Sequence, residues 1–240
     1  MFQAGKYPWL VTVVSTASPV DLVCAGTLVA SKYVVTAAQC VYNKPPHALR
    51  FNIGDHDLLV EEAGEQQLRV GDVMVHERYD PATKANDIAL VELSHHLDLE
   101  ARTPACLPDP AHVEPEYTGV TAVVAGWGNH ATRPHEVSLT VVNNTACSAA
   151  MRTPIPPGML CAGGQQNRAA CEVTCLFSFF CDKSTFSSQL DEGGPLTYPL
   201  NGQNILIGDF SWFENCGKVS LLRHAFIIIY IVCLKHQTCV

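Results

Sequence analysis

Short apolar runs rich in Val, Leu and Ile recur along the chain, separated by Gly, Pro, Asn and Asp. On this pattern residues 10–14, 27–29, 33–36, 68–75, 88–93, 121–125, 137–142 and 205–207 read as strands. No sustained 3.6-residue periodicity predicts a long helix between them, and no internal repeat is visible. Many short strands with turn signals between them predict an all-β protein of sandwich or barrel type. The long apolar run at 225–234 is about half the ~20 residues that span a bilayer, so it predicts no membrane helix.

Composition narrows this picture. The chain has 240 residues, a length that single all-β domains reach. With 48% apolar residues it is not expected to be disordered. A net charge of −8 lacks the basic face that nucleic acid requires, and solubility accounts for it. The densest acidic group is Glu61, Glu62 and Glu65. Eleven cysteines predict an oxidising, extracellular compartment. The first five residues carry no leader pattern, so a secreted protein of this kind is expected to have further sequence upstream.

Several segments carry chemistry. Leu190-Asp191-Glu192-Gly193-Gly194-Pro195-Leu196 is a glycine-rich turn entering a strand. Cys24-Ala-Gly-Thr-Leu-Val is followed by Val34-Val-Thr-Ala-Ala-Gln-Cys40. Tyr7-Pro8-Trp9-Leu10-Val11, Asn86-Asp87-Ile88-Ala89-Leu90-Val91, Val124-Ala-Gly-Trp-Gly128 and Ser211-Trp212-Phe213-Glu214-Asn215-Cys216 complete the set. Together they resemble the chymotrypsin/trypsin-like serine peptidases over about residues 4–218, apart from the stretch 173–189. That family reads Gly-Asp-Ser-Gly-Gly-Pro-Leu at the first segment and Thr-Ala-Ala-His-Cys at the second.

The resemblance implies an all-β, trypsin-like double antiparallel β-barrel: two Greek-key six-stranded barrels, the C-terminal one incomplete. The peptidase domain would cover 1–218, with the N-terminal barrel at about 1–105 and the C-terminal barrel at about 106–218. The triad-equivalent positions are Gln39, Asp87 and Glu192. A hydroxyl becomes a nucleophile when a neighbouring base takes its proton, whereas a carboxylate is already an anion and attacks amides poorly. Glutamine hydrogen-bonds but takes up no proton near neutral pH. With both groups replaced, no competent catalytic residue is expected, and Asp87 is expected to accept hydrogen bonds at the barrel junction. None of the ten histidines sits in a motif that would replace the base. Asp191 stands where the family pairs a new amino terminus, a donor absent here.

Further site residues follow from the same resemblance. Ala169 stands at the floor of the specificity pocket, lined also by Ser211, Trp212 and Phe213. There is thus no carboxylate for an Arg or Lys substrate side chain, and the Phe213 ring would obstruct the pocket. Disulfides Cys24–Cys40, Cys147–Cys161 and Cys171–Cys216 are implied. Cys106 matches the linker cysteine that ties many relatives to an N-terminal light chain, clip-domain types among them, and has no obvious mate here. No cofactor is required. The acidic run 54–66 resembles a structural calcium loop, with side chains of Asp55, Glu62 and Glu65 and carbonyls of Asp57 and Val60 as ligands; it reads equally as a solvated acidic loop. Independently of the family, Asn143-Asn144-Thr145 is a glycosylation sequon at Asn143.

Two stretches fall outside the family pattern: the insertion 173–189 and the hydrophobic tail 219–240. Both begin with valine, whose codons start GT, and the first ends in Gln189, which CAG encodes, so translated intron sequence is one reading and a lineage-specific insertion another. Setting aside Cys175, Cys181, Cys233 and Cys239 leaves the three implied disulfides plus Cys106. The expected function is a catalytically inactive homologue acting as adaptor, cofactor or decoy in an extracellular proteolytic or innate-immune cascade, with proteins of that cascade as partners. The alternatives are a trypsin-like endopeptidase whose sequence is corrupted at the active site, and a non-functional read-through product.

Overall fold

The computed structural model describes residues 3–16, 22–100, 102–108, 117–128, 132–155, 158–163 and 191–212. The first half contains β1 (Leu10–Ser15), β2 (Leu22–Ala30), β3 (Tyr33–Thr36), the single turn α1 (Ala38–Val41), β4 (Leu49–Ile53), β5 (Gln66–Val75) and β6 (Ala89–Leu93). These strands close a barrel in the order β1-β2-β3-β6-β5-β4, every neighbour antiparallel. Alternation drives it. In β6 the side chains of Ala89, Val91 and Leu93 are buried while Leu90 and Glu92 are half-exposed, as a two-residue period on a curved sheet requires. Val11, Val13, Leu28, Val34, Phe51, Ile53, Val91 and Leu93 fill the interior. The predicted strands at 10–14, 33–36, 68–75 and 88–93 are all present to within a residue or two at their ends, and 27–29 lies inside the longer β2.

The second half contains β7 (Thr121–Gly126), β8 (His135–Val142), α2 (Asn144–Met151), β9 (Cys161–Ala162), β10 (Pro195–Leu200) and β11 (Gln203–Asp209). They form a five-stranded sheet in the order β11-β10-β7-β8-β9, which does not close among the described residues. Its core is Ala122, Val124, Leu139, Val141, Leu160, Leu196, Ile207 and Phe210. The sequence reading missed β4, β9, β10 and α2. Helix α2 starts where Asn143 accepts a hydrogen bond from Ala146 N at 2.8 Å and stops at Arg152, in the left-handed region at φ 55°. Asn143 is exposed, so its amide nitrogen remains accessible at the sequon.

Disulfides join Cys24 to Cys40 and Cys147 to Cys161. Cys106 is itself disulfide-bonded, which corrects the expectation that it lacks a mate in the chain. Its backbone bridges to Ile205 of β11 and so ties the inter-barrel segment to the second sheet. Ala169, Phe213, the Cys171–Cys216 pair, the insertion 173–189 and the tail 219–240 lie outside the described residues. No helix among the described residues is long and apolar enough to cross a membrane.

Candidate functional site at the barrel junction

Three side chains expected at the site meet between the two halves. Asp87, fully buried, precedes β6. Its Oδ1 accepts the backbone N–H of Gln39 at 2.8 Å, and Ala38 N–H also bonds it. Its Oδ2 accepts the hydroxyl of Ser211, just beyond β11. Gln39 closes the ring by donating Nε2–H to Ser211 O at 2.6 Å. Burial raises the Asp87 carboxyl above the ordinary range, and the Ser211 and Gln39 hydrogen bonds oppose that shift. Asp87 therefore accepts hydrogen bonds from both halves, as its position at the junction led us to expect. Ser211 belongs to this network as well as to the specificity-pocket positions, a link the linear motif does not reveal.

Glu192 lies on the turn before β10. Its backbone O accepts Ala25 N–H at 2.8 Å, so the turn is docked onto β2 of the first barrel. Gly193 has φ +80°, and a Cβ there would collide with Thr36, Ala25 and Ala37. Only glycine gives both the left-handed backbone and this close approach. Gly193 N–H also bonds Phe210 O at 2.7 Å, which fixes the turn to β11's end. Burial lifts the Glu192 carboxyl to about 7; Lys84 and Lys44 pull it down, while Asp87 pushes it further up. A carboxyl half-protonated near neutrality, beside another carboxyl and two ammonium groups, can exchange protons but offers no hydroxyl for acyl transfer.

The neighbouring Asp191 is buried and held by backbone groups: Gly128 N–H donates to its Oδ1 at 2.8 Å, and Trp127 N–H bonds it too. Burial nevertheless lifts its carboxyl to about 6, against these two hydrogen bonds. Gly126 has no room for a side chain, because a Cβ would overlap the Asp191 carboxylate. The Val124-Ala-Gly-Trp-Gly128 run thus builds a backbone cradle for an anion, a role the sequence reading did not give it. At its rim Lys6 Nζ pairs with Glu136 at 2.5 Å.

Trp212 packs on the cluster of Cys147, Met151, Ile155, Met159 and Cys161. Among the described residues, Cys24, Cys40 and Glu192 offer three metal-capable atoms within 4.8 Å of one another. Both sulfurs are in one disulfide, so no thiolate is available there.

The calcium-like loop lies apart from the junction. The Asp55 carboxylate is partly buried; its Oδ2 accepts Thr12 Oγ1–H at 3.2 Å, and Asn52 also hydrogen-bonds it. Burial, then the charge of Glu65 and of Glu62, lifts Asp55 to about 6. Glu62 Oε2 accepts the N–H groups of His56 and Asp57 at 2.6 and 3.3 Å, and Asp57 O already accepts Val60 N–H at 2.8 Å. A partly buried carboxylate beside the like charges of Glu65 and Glu62, with hard oxygen donors around it, fits a divalent cation such as calcium.

Comparison with known proteins agrees with this geometry. The Trypsin family profile matches residues 1–172. Vitamin K-dependent protein C of Oryctolagus cuniculus is 31% identical over 230 residues, covering 90% of this chain and 46% of that protein. Mannan-binding lectin serine protease 1 of Homo sapiens is 29% identical over 243 residues, covering 90% and 31%. Vitamin K-dependent protein C of Mus musculus is 29% identical, covering 90% and 45%. The chain thus spans about half or less of the length of these relatives. A closed six-stranded barrel, a second antiparallel sheet, the docked turn at Asp191–Gly193 and the family match lead to one conclusion: the chain belongs to the trypsin family of serine peptidases.

Proposed function

We propose that the chain is a catalytically inactive serine protease homologue that serves as adaptor, cofactor or decoy in an extracellular proteolytic or innate-immune cascade. The observation that carries this reading is the hydrogen-bonded ring at the junction. Gln39, at the position of the general base, spends its amide N–H on Ser211 O. Glu192, at the position of the nucleophile, presents a partly protonated carboxyl. Neither can generate an alkoxide, and triad groups act as a unit, so the loss of two leaves little activity to recover. The Cys24–Cys40 and Cys147–Cys161 disulfides and the exposed sequon support secretion. One of the relatives is by its name a serine protease associated with a mannan-binding lectin, which supports an immune setting. The test is hydrolysis of peptide substrates with basic, aromatic or small residues before the scissile bond. The expected result is no turnover above the uncatalysed rate; turnover that scales with protein concentration would overturn the reading.

We further propose that Asp55, Glu62 and Glu65, with the carbonyls of Asp57 and Val60, hold a structural calcium ion. The ion would neutralise three clustered carboxylates and would take no part in chemistry. Calcium at about 100 times its Kd would stabilise the fold by about 2.7 kcal/mol, read as a rise in Tm that Asp55→Asn abolishes. An unchanged Tm in the parent protein would remove the proposal.

A further inference from the structure

The described residues include four lysines, and these divide in two. Lys6 and Lys32 are held in ion pairs with Glu136 and Glu92, each at 2.5 Å. Lys44 and Lys84 make no ion pair and no side-chain hydrogen bond among the described residues. Both nevertheless act on one group: the charges of Lys84 and Lys44 pull down the Glu192 carboxyl, whose own oxygens hydrogen-bond no described residue. Asp87, the other anion that feels Lys84, has both oxygens engaged by Gln39, Ala38 and Ser211. Two ammonium groups thus stand by the position of the nucleophile, each without a described anion at contact distance.

The loops that carry them are firmly built. Lys84 lies between β5 and β6 with φ 57°, and Asn86 has φ 55°. Asp80 accepts Ala82 N–H at 2.9 Å and Thr83 Oγ1–H at 2.7 Å, and Asn86 Nδ2–H donates to Arg78 O at 2.7 Å. Ala85 packs on the cluster that holds Trp212, so the loop is also fixed against the second half. Left-handed backbone at residues other than glycine persists only where the surroundings over-determine it. Lys44 follows α1, with its N–H on Val41 O at 3.1 Å. Burial lowers its ammonium group below the ordinary range, and the Glu192 charge opposes that shift. An ammonium group that gives up water without gaining a partner is short of an anion. We propose that Lys44 and Lys84 receive the carboxylates of an acidic segment of a partner protein, with the Glu192 carboxyl as an added hydrogen-bond donor. This rests on the adaptor reading above and names the chemistry of the partner at the same cleft. Charge complementarity selects that partner, because two ammonium groups meet at one place on a chain whose net charge is −8. A docked carboxylate favours the protonated form of Glu192, as Asp87 already does, so binding takes up a proton. Tyr79 also faces Glu192 and stays a neutral phenol, since burial and the charges of Asp87 and Glu192 raise its pKa. Affinity therefore falls as pH rises through about 7, where Glu192 titrates.

Fluorescence anisotropy on the full chain tests this, with a short fluorescein-labelled peptide centred on Asp-Glu-Asp as the probe and its Asn-Gln-Asn and Lys-Lys-Lys counterparts as controls. Saturable binding of the acidic probe is expected, with both controls weaker by about tenfold or more. Lys44→Ala and Lys84→Ala should each raise Kd by about tenfold, the usual size for a charge-assisted hydrogen bond. Lys84→Arg should restore most of the affinity, and Lys32→Ala, which removes an equal charge elsewhere, should leave it unchanged. Between pH 6.5 and 8.5 the parent Kd should rise on the order of tenfold, and Glu192→Gln, which keeps a donor, should flatten that rise. Should an alanine variant lose the native near-UV spectrum, the pH series of the parent and of Glu192→Gln decides. Equal affinity for the acidic and neutral probes, or affinity indifferent to both lysines, would overturn the docking. So would the absence of binding with the probe intact, which leaves the reading of inactivity standing. Cleavage of the probe, read by mass spectrometry, would instead overturn that reading of inactivity.

Discussion

In the first barrel β1 pairs with both β2 and β4, so every strand has two partners and no edge is left. In the second sheet β11 and β9 each have one strand neighbour among the described residues, although the Cys106 bridge covers part of β11. Closure removes the exposed ladder of N–H and C=O groups that makes an edge a liability. The consequence for the site is direct. Gln39 and Asp87 belong to the closed half, whereas Asp191, Glu192 and Ser211 belong to the open one. The polar ring of Asp87, Gln39 and Ser211 is a fastening across the junction of the two halves.

The largest expected effect tests the closed half. Phe51 is fully buried in the barrel, and Phe51→Ala should cost about 3–5 kcal/mol, against about 2–5 for Leu139→Ala in the second sheet. The informative part is the spread of the damage by hydrogen exchange. Phe51→Ala should loosen both halves, while Leu139→Ala should loosen β7–β11 far more than β1–β6. Equal loosening of both halves by Leu139→Ala would break the comparison.

Next is the docked turn. Gly193→Ala forces a Cβ into Thr36, Ala25 and Ala37 at a positive φ, with strain alone on the order of 1–3 kcal/mol. It should detach the turn from β2, seen as faster exchange at Ala25 N–H. Unchanged protection there would show that the turn is not what holds the halves together.

The buried carboxyls give a pH signature of similar size. Asp191 and Asp55 titrate near 6 rather than 3.8, and Glu192 near 7 rather than 4.5. Between about pH 4 and 7 the unfolded chain gives up protons that the folded chain keeps, so stability falls as pH rises through this window. Tm should be higher at pH 5.5 than at pH 8. Asp191→Asn keeps an acceptor for Gly128 and should flatten the profile, by on the order of 2–3 kcal/mol at pH 8, since one unit is worth about 1.4 kcal/mol. A Tm that rises from pH 5.5 to 8 would contradict the burial of these groups.

The smallest expected effect is at the fastening itself. Gln39→Ala leaves Ser211 O without its donor and should cost about 1–2 kcal/mol, read from denaturant midpoints. Gln39→Glu adds a further carboxyl near Asp87 and Glu192 and should cost more than Gln39→Ala. The reverse order would argue against the ring described here.

Much of this was legible in the chain, for stated reasons. Alternation in runs such as 88–93 gave strands of the first half, and the family resemblance implied the barrel and the meeting of Gln39, Asp87 and Glu192. Strand β4 was passed over because Arg50 and Asn52 interrupt its apolar positions, even though Leu49, Phe51 and Ile53 alternate inward. Strand β10 was missed because Pro195 and Pro199 argue against a strand, yet both fit a ladder that is paired only in part. Helix α2 has a weak apolar face, and Asn143 was read as a sequon without its second role as the cap. The cradle around Asp191 was beyond sequence reading, because backbone N–H groups leave no side-chain pattern.

The measurement that bears most directly on the central claim is labelling of the purified chain by a fluorophosphonate, beside active trypsin as control. The reagent reports only a serine whose hydroxyl a neighbouring base can activate, since the new oxygen–phosphorus bond forms as fluoride leaves. With Glu192 at the turn and Gln39 in the ring, the chain should stay unlabelled at concentrations that label trypsin to completion. Stoichiometric labelling, mapped to any serine at the junction, would contradict the account.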